Sequence, residues 1–256
     1  MNPGSKARGL LSAAFFMMLV PVTPHAQENP QPQTLTFANY KWTVRQTTQP
    51  EGPMGNYFGG RDLSVFLNGD GSLTLKISPE QGIWHAGEVT SQKFMGYGTY
   101  VFKVRTPPAG LDPNIVLGLF TYSRASAYSH REIDIEFSAW GQSGKPVLGQ
   151  YVIQPYADPG HMIAFDISKI GGPATYMFTW LEGRIDFVSW EGYGPRPEDG
   201  SPSIISSWSF SDPKAVPKPS SQVHINLYLA HGDVPPSGRG SLAVTIDSFE
   251  FIQAKK

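Results

Sequence analysis

Cysteine is absent from this sequence. Its absence excludes disulfide cross-links, thiolate metal ligands and a cysteine nucleophile. Charge is scarce as well: Asp, Glu, Lys and Arg make up 16% of the chain and nearly cancel, to a formal net charge of −1. With no basic run or stripe, nucleic-acid binding by counterion release lacks its footprint. Six histidines show neither HExxH nor His-x-His spacing, so a zinc enzyme lacks its ligand set. Gly141-Gln-Ser-Gly-Lys145 has the glycine spacing of neither a phosphate-binding loop nor a nucleophile elbow. No stretch of three turns carries a 3.6-residue period, which removes long amphipathic helices.

Long apolar runs are also missing, with one exception at residues 10–20 (LLSAAFFMMLV). Lys6 and Arg8 precede it and a short polar stretch to Ala26 follows. The run is too short for a typical transmembrane helix and has the layout of a secretory signal over residues 1–26. An uncleaved anchor is the alternative, and Pro24 is an unusual residue three before the expected cut. Cleavage removes two cations and no anions and leaves the rest at −3. The mature chain is expected to be secreted or periplasmic, free of the membrane, and monomeric.

Glycine (27) and proline (23) together make up roughly a fifth of the chain, above the usual share of about 12%. They punctuate short runs with period-two alternation or β-branched and aromatic enrichment. Strands are expected at 41–45, 63–67, 72–77, 98–105, 115–122, 132–138, 147–153, 174–180, 184–191, 204–210, 223–230 and 242–252. Asn68-Gly-Asp-Gly71, Pro107-Pro108, Gly171-Gly172, Glu182-Gly183 and Pro235-Pro236 mark turns between them. Residues 27–35 read as a polar tail, and 192–203 and 211–221 as long loops. The pattern specifies an all-β sandwich or jelly roll in one domain over residues 27–256.

The informative segment is His130-Arg-Glu-Ile-Asp-Ile-Glu-Phe137. Side chains alternate along a strand, so Glu132, Asp134 and Glu136 share one face and Ile133, Ile135 and Phe137 the other. The apolar set fixes the register, because a one-residue slip would drive three carboxylates into the core. Carboxylates held together raise one another's pKa. Glycoside hydrolysis with retention uses that property: one ionised carboxylate attacks while one protonated carboxyl donates, with the pair roughly 5–5.5 Å apart. Glutamates four apart on an ideal strand have Cα atoms roughly 13 Å apart, a gap that side chains leaning inward on a curved sheet can narrow. The shorter Asp134 suits a middle group that tunes a neighbour. From spacing alone, a solvent-facing acidic strand is an equal alternative.

Glu132-Ile-Asp-Ile-Glu136 is similar to the active-site signature of glycoside hydrolase family 16, in the form found in bacterial licheninases. The resemblance extends to Gly87-Glu88, Gly96-Tyr-Gly-Thr-Tyr100, Leu117-Gly-Leu-Phe-Thr-Tyr122, Tyr151-Val-Ile-Gln154, Phe178-Thr-Trp180 and Ile225-Asn-Leu-Tyr228, across roughly residues 40–252. It implies a concanavalin-like β-jelly roll of two curved antiparallel sheets with an open cleft, and an endo-acting retaining hydrolase of β-linked polysaccharide. By position Glu132 is the nucleophile, Asp134 the assisting acid and Glu136 the acid/base. Glu88, Gln154, Asn226 and Tyr228 fall at substrate-contacting positions. Asp247 falls where the family has a carboxylate ligand for a structural Ca²⁺. No cofactor for catalysis is implied.

Some positions depart from the licheninase pattern. Thr90 stands in place of an arginine, His130 in place of an aromatic residue, and Tyr228 in place of tryptophan. They motivate a second reading, a non-catalytic carbohydrate-binding jelly roll; transglycosylation by the same residues is a third. His130 is a candidate to tune the acids or touch substrate. Trp84, Tyr122, Trp140 and Trp190 are candidate sugar platforms, with core packing as the alternative for each. Trp84 is favoured because it precedes Glu88 in a short, turn-like run. His161, His224 and His231 read as ordinary strand-end or loop residues.

Overall fold

Alternation of apolar and polar residues sets the strands. The computed structural model describes Met1 and residues 32–255, so the signal expected over residues 1–26 lies, Met1 apart, outside the described residues. In chain order the strands are β1 (Gln33–Phe37), β2 (Tyr40–Val44), β3 (Tyr57–Phe58), β4 (Val65–Leu67), β5 (Leu73–Lys76), β6 (Ser78–Glu80), β7 (Ile83–Met95), β8 (Gly98–Val104) and β9 (Ile115–Tyr122). They continue as β10 (Ile133–Ser138), β11 (Leu148–Ile153), β12 (Met162–Asp166), β13 (Ala174–Leu181), β14 (Arg184–Glu191), β15 (Ile204–Ser211), β16 (Ser221–Leu229) and β17 (Ala243–Gln253). A ten-stranded sheet runs β1-β2-β7-β16-β9-β10-β11-β12, with β3 and β6 also on β7; a seven-stranded sheet runs β15-β14-β13-β8-β17-β5-β4. Pairing is antiparallel except for β3, which lies parallel to β7. The two sheets form a jelly-roll sandwich.

The inner faces meet in an aromatic core. Trp42 on β2 meets Phe249 on β17 edge-on at 5.6 Å. Phe137 on β10 meets Tyr176 on β13 at 4.7 Å. Tyr151 on β11 stacks on Phe187 of β14 at 4.7 Å. Such offset and edge-to-face pairs add to the area these rings bury. Ile133, Ile135 and Phe137 are fully buried here, which fixes the opposite face of β10 outward, away from the core.

All twelve expected runs are strands, with ends shifted by a few residues at most. Five strands were not expected. β1 starts at Gln33, inside the stretch read as a tail. β7, the longest of all at 13 residues, corrects the turn-like reading of the run around Trp84.

One loop is fastened with particular care. Asp112, with no exposed surface, accepts N–H bonds from Asn114 at 3.0 Å and from Ser237 and Arg239 at 3.1 Å, and the Ser237 hydroxyl at 2.7 Å. Burial alone would raise its pKa; the Ser237 hydroxyl and the three backbone donors outweigh it and hold the carboxylate ionised. Asn114 then takes the His231 N–H at 3.1 Å and donates to the Val234 carbonyl at 2.7 Å. Asp112→Ala strands these donors and is expected to lower the unfolding free energy by about 2–4 kcal/mol in urea titrations. A loss below about 1 kcal/mol would contradict the cage.

Candidate active site

Strand register assembles the site as rungs across the ten-stranded sheet. Glu136 on β10 lies opposite Gly118 on β9, Gly118 opposite Asn226 on β16, and Asn226 opposite Glu88 on β7. The neighbouring rung runs from Asp134 through Phe120 and His224 to Thr90 and then Thr43 on β2. Gly118 keeps the first rung open: a Cβ there would come within 2.5 Å of the Asn226 Oδ1. Glu132 precedes β10, and its carbonyl accepts the Gln154 N–H at 3.2 Å.

These rungs floor a cavity of about 730 Å³ that Glu132, Asp134 and Glu136 line together with Glu88, Tyr122, Asn226 and Tyr228. All three acids of the trio titrate well above the ordinary carboxylate range. Burial is the main cause for each. Glu136 adds to the effect on Glu132, and both glutamates add to it on Asp134. Gln154 donates to the Asp134 Oδ2 at 3.2 Å and pulls the other way. Like charges in a poorly hydrated space cannot all ionise, so the trio holds protons at neutral pH.

Glu88 behaves oppositely. It is 4% exposed, and its oxygens meet His224 Nδ1 and Arg45 Nη1, each at 2.9 Å. Burial would raise its pKa, but these two partners lower it on balance. Arg45 also donates to Glu51 at 2.9 Å and to the Gly52 carbonyl at 2.8 Å, so one guanidinium ties the cavity floor to the wall formed by Glu51, Gly52 and Pro53. Asn56 pins that wall to β16, giving Nδ2–H to the Leu229 carbonyl at 2.9 Å and taking its N–H at 3.0 Å. Gly232 reaches back to the Met54 carbonyl at 3.2 Å, linking the wall to the Asp112 cage.

Two further groups face the trio. Burial first, then Glu136 and Asp134, push the Tyr228 phenol far up, so it stays a hydrogen-bond donor. Asn226 is 2% exposed, and its Oδ1 has no hydrogen-bond partner among the described residues. A buried acceptor left so costs roughly 1–3 kcal/mol and is ready for a donor from a ligand.

The chain reaches Glu132 through an unusual turn. Tyr128, Ser129, His130 and Arg131 have φ of 54°, 47°, 64° and 55°. For L-residues this left-handed region costs about 1–2 kcal/mol each. The His130 ring lies flat on Tyr122 at 4.9 Å and its Nδ1 meets the Ser123 carbonyl at 3.0 Å. His130 therefore backs Tyr122 and is not among the cavity-lining residues.

Several expectations are corrected by these placements. Trp84 is paired across from Pro79 in the β6–β7 ribbon and packs on the core; the hairpin takes it out of the cavity lining. Trp190 is buried, with its N–H on the Gly194 carbonyl at 3.2 Å, and Trp140 sits in the turn after β10. Of the four candidate platforms Tyr122 lines the cavity. His224 belongs to the middle of β16 and to the cavity, not to a strand end. Arg45, Glu51, Phe120 and Gln222 also line it and were not singled out. The alternations Thr43/Arg45 and Gln222/His224/Asn226/Tyr228 carried that signal.

The carboxylate that resemblance offers to calcium does not fit a metal. Asp247 is paired with the guanidinium of Arg105 and accepts the Tyr193 hydroxyl; Arg105 also reaches Asp70 at 2.8 Å. Among the described residues no group of three or more His, Asp or Glu is arranged to hold a metal. Excess EDTA or millimolar CaCl₂ is expected to leave the melting temperature within about 1 °C; a clear rise with calcium would reinstate the ion.

No protein-family model matches this sequence and no curated protein matches it. A β-glucanase of Bacillus licheniformis superposes with a TM-score of 0.59 at 18% identity, over 87% of this chain and 98% of that one. This chain has the β-glucanase fold. A lichenase derived from a mouse hindgut metagenome shares it, with a TM-score of 0.55 at 18% identity over 83% and 93% of the two chains. So does an immunostimulatory antigen of Mycobacterium tuberculosis described as a pseudo β-1,3-glucanase, at 0.58 and 20% over 84% and 91%. The β-glucanase fold thus occurs with names that assert activity and with one that disclaims it.

Proposed function

We propose that this chain is an exported member of glycoside hydrolase family 16 that cleaves β-linked polysaccharide, a β-1,3/1,4-glucan or a related polymer, with retention. The observation that carries the reading is the acidic trio side by side on the floor of one cavity. Retention needs an ionised nucleophile beside a protonated donor, and burial with like charge in so small a space favours proton sharing within the trio. Glu132 attacks the anomeric carbon as Glu136 protonates the departing oxygen, giving a glycosyl-enzyme. Glu136 then deprotonates a water that displaces Glu132 and releases the sugar. Asp134, oriented by Gln154, sits between them and adjusts how protons are shared. The Asn226 Oδ1 and the Tyr228 hydroxyl offer an acceptor and a donor to sugar hydroxyls, and Tyr122 a ring face.

The test is release of reducing ends from a panel of β-glucans and related polymers, with Glu132→Gln as control. Reducing ends from at least one polymer, absent in the variant, support the proposal. Tight binding with no release would instead favour a carbohydrate-binding jelly roll, the reading to which the pseudo-glucanase neighbour lends weight.

A further inference from the structure

Four consecutive non-glycine residues in the left-handed region demand a cause. Glycine takes this conformation at no steric cost, yet none occurs between Gly118 and Gly141. The turn is therefore imposed by its contacts. The Ser123 N–H bonds the His130 carbonyl at 2.7 Å, and the Arg131 N–H closes on the Tyr128 carbonyl at 2.9 Å. Thr121 gives its hydroxyl to the Arg131 carbonyl at 3.0 Å. The Arg131 side chain reaches outward, with Nε on the Lys218 carbonyl at 3.0 Å and its guanidinium 5.7 Å from the Tyr128 ring. The next residue, Glu132, returns to extended backbone at φ −87°, ψ 123°.

We infer that this strained turn is a positioning device for Glu132, with Arg131 as the positioning residue that holds it. Persistent strain needs surroundings that over-determine it, and it concentrates where a side chain must be aimed. Here the left-handed turn delivers the chain to β10 so that Glu132 falls on the face of Asp134 and Glu136, and it sets His130 beneath Tyr122. The Arg131 bond to the Lys218 carbonyl ties the end of the turn to the 212–220 loop; without it the turn relaxes toward right-handed backbone and Glu132 drifts from its partners. The inference rests on Glu132 being the nucleophile.

Three variants test it. Arg131→Ala is expected to lower kcat by about 10- to 100-fold with KM within twofold, since a misplaced reacting group is costly even when substrate still binds. Ser129→Gly supplies the same backbone without strain; it is expected to raise Tm by about 2–4 °C and keep kcat within twofold. Combining the two is expected to restore most of the lost kcat, and Arg131→Lys part of it. Unchanged kcat in Arg131→Ala, or no recovery in the double variant, overturns the inference. If the wild type releases no sugar from any polymer, the proposed function fails and a separate readout remains. The ¹³C-detected titration of the Glu132 carboxyl is expected to lie above the ordinary range and to move back toward it in Arg131→Ala. No movement would overturn the positioning role on its own.

Discussion

Glu132→Gln is expected to fold like the wild type and to lose at least about 10³-fold in kcat on any polymer the wild type cuts, with KM little changed. An amide keeps the size and one hydrogen-bonding oxygen of the carboxyl but cannot form the glycosyl-enzyme. Removal of a covalent catalyst ordinarily costs that much or more. The fold should not suffer, because Glu132 lies outside the regular strand and its side chain faces the cavity and not the core. Circular dichroism and Tm matching the wild type, beside absent turnover, is the expected pair of results. Near-wild-type turnover would end the assignment of Glu132; an unfolded variant would make it a structural residue.

Asp134→Asn is expected to make the protein more stable, and more so as pH rises. Unfolded carboxyls lose their protons near pH 4, whereas the folded trio keeps them well above that range. In the interval the folded state binds more protons than the unfolded one, so stability falls as pH increases. The contribution is intact below the unfolded pKa and disappears as pH passes through the raised folded values. Taking out the central charge removes repulsion with both glutamates, and the amide oxygen can still accept the Gln154 bond. The gain is expected to be about 1–3 kcal/mol at pH 8, the usual scale of a single-residue effect, and less than about 1 kcal/mol at pH 4. Thermal melts at both pH values check the sign. Destabilisation at pH 8 would mean the trio is stabilised as anions, the opposite of the electrostatics described. Activity should fall in the same variant, as happens where a site holds charges the fold alone would reject.

Alternation along single strands is legible in the sequence. Ile133, Ile135 and Phe137 announced their inward face, and with it the shared face of the three acids, because a period of two is a local property. β7 escaped because Gly87 and the polar residues around it break that alternation, and because its pairing with β16 shifts register between Gln222 and His224. Partners across strands are not local. Arg45 meets Glu88 across 43 positions and His224 meets it across 136, so no window of sequence shows the pairing. Trp84 was misplaced for a related reason: nearness to Glu88 in the chain says nothing of the β6–β7 hairpin that turns it away. The left-handed turn was invisible too, since Tyr128–Arg131 contains no glycine, asparagine or aspartate, the residues that visit such a backbone routinely.

The double grip of Asn56 on Leu229 has a mechanical corollary. A flank bolted to the end of a central strand cannot swing like a hinged door, so the groove has no closing step to await on that side. Under the proposed function, a long sugar chain would settle into it sideways, and depart the same way, without the protein having to change shape.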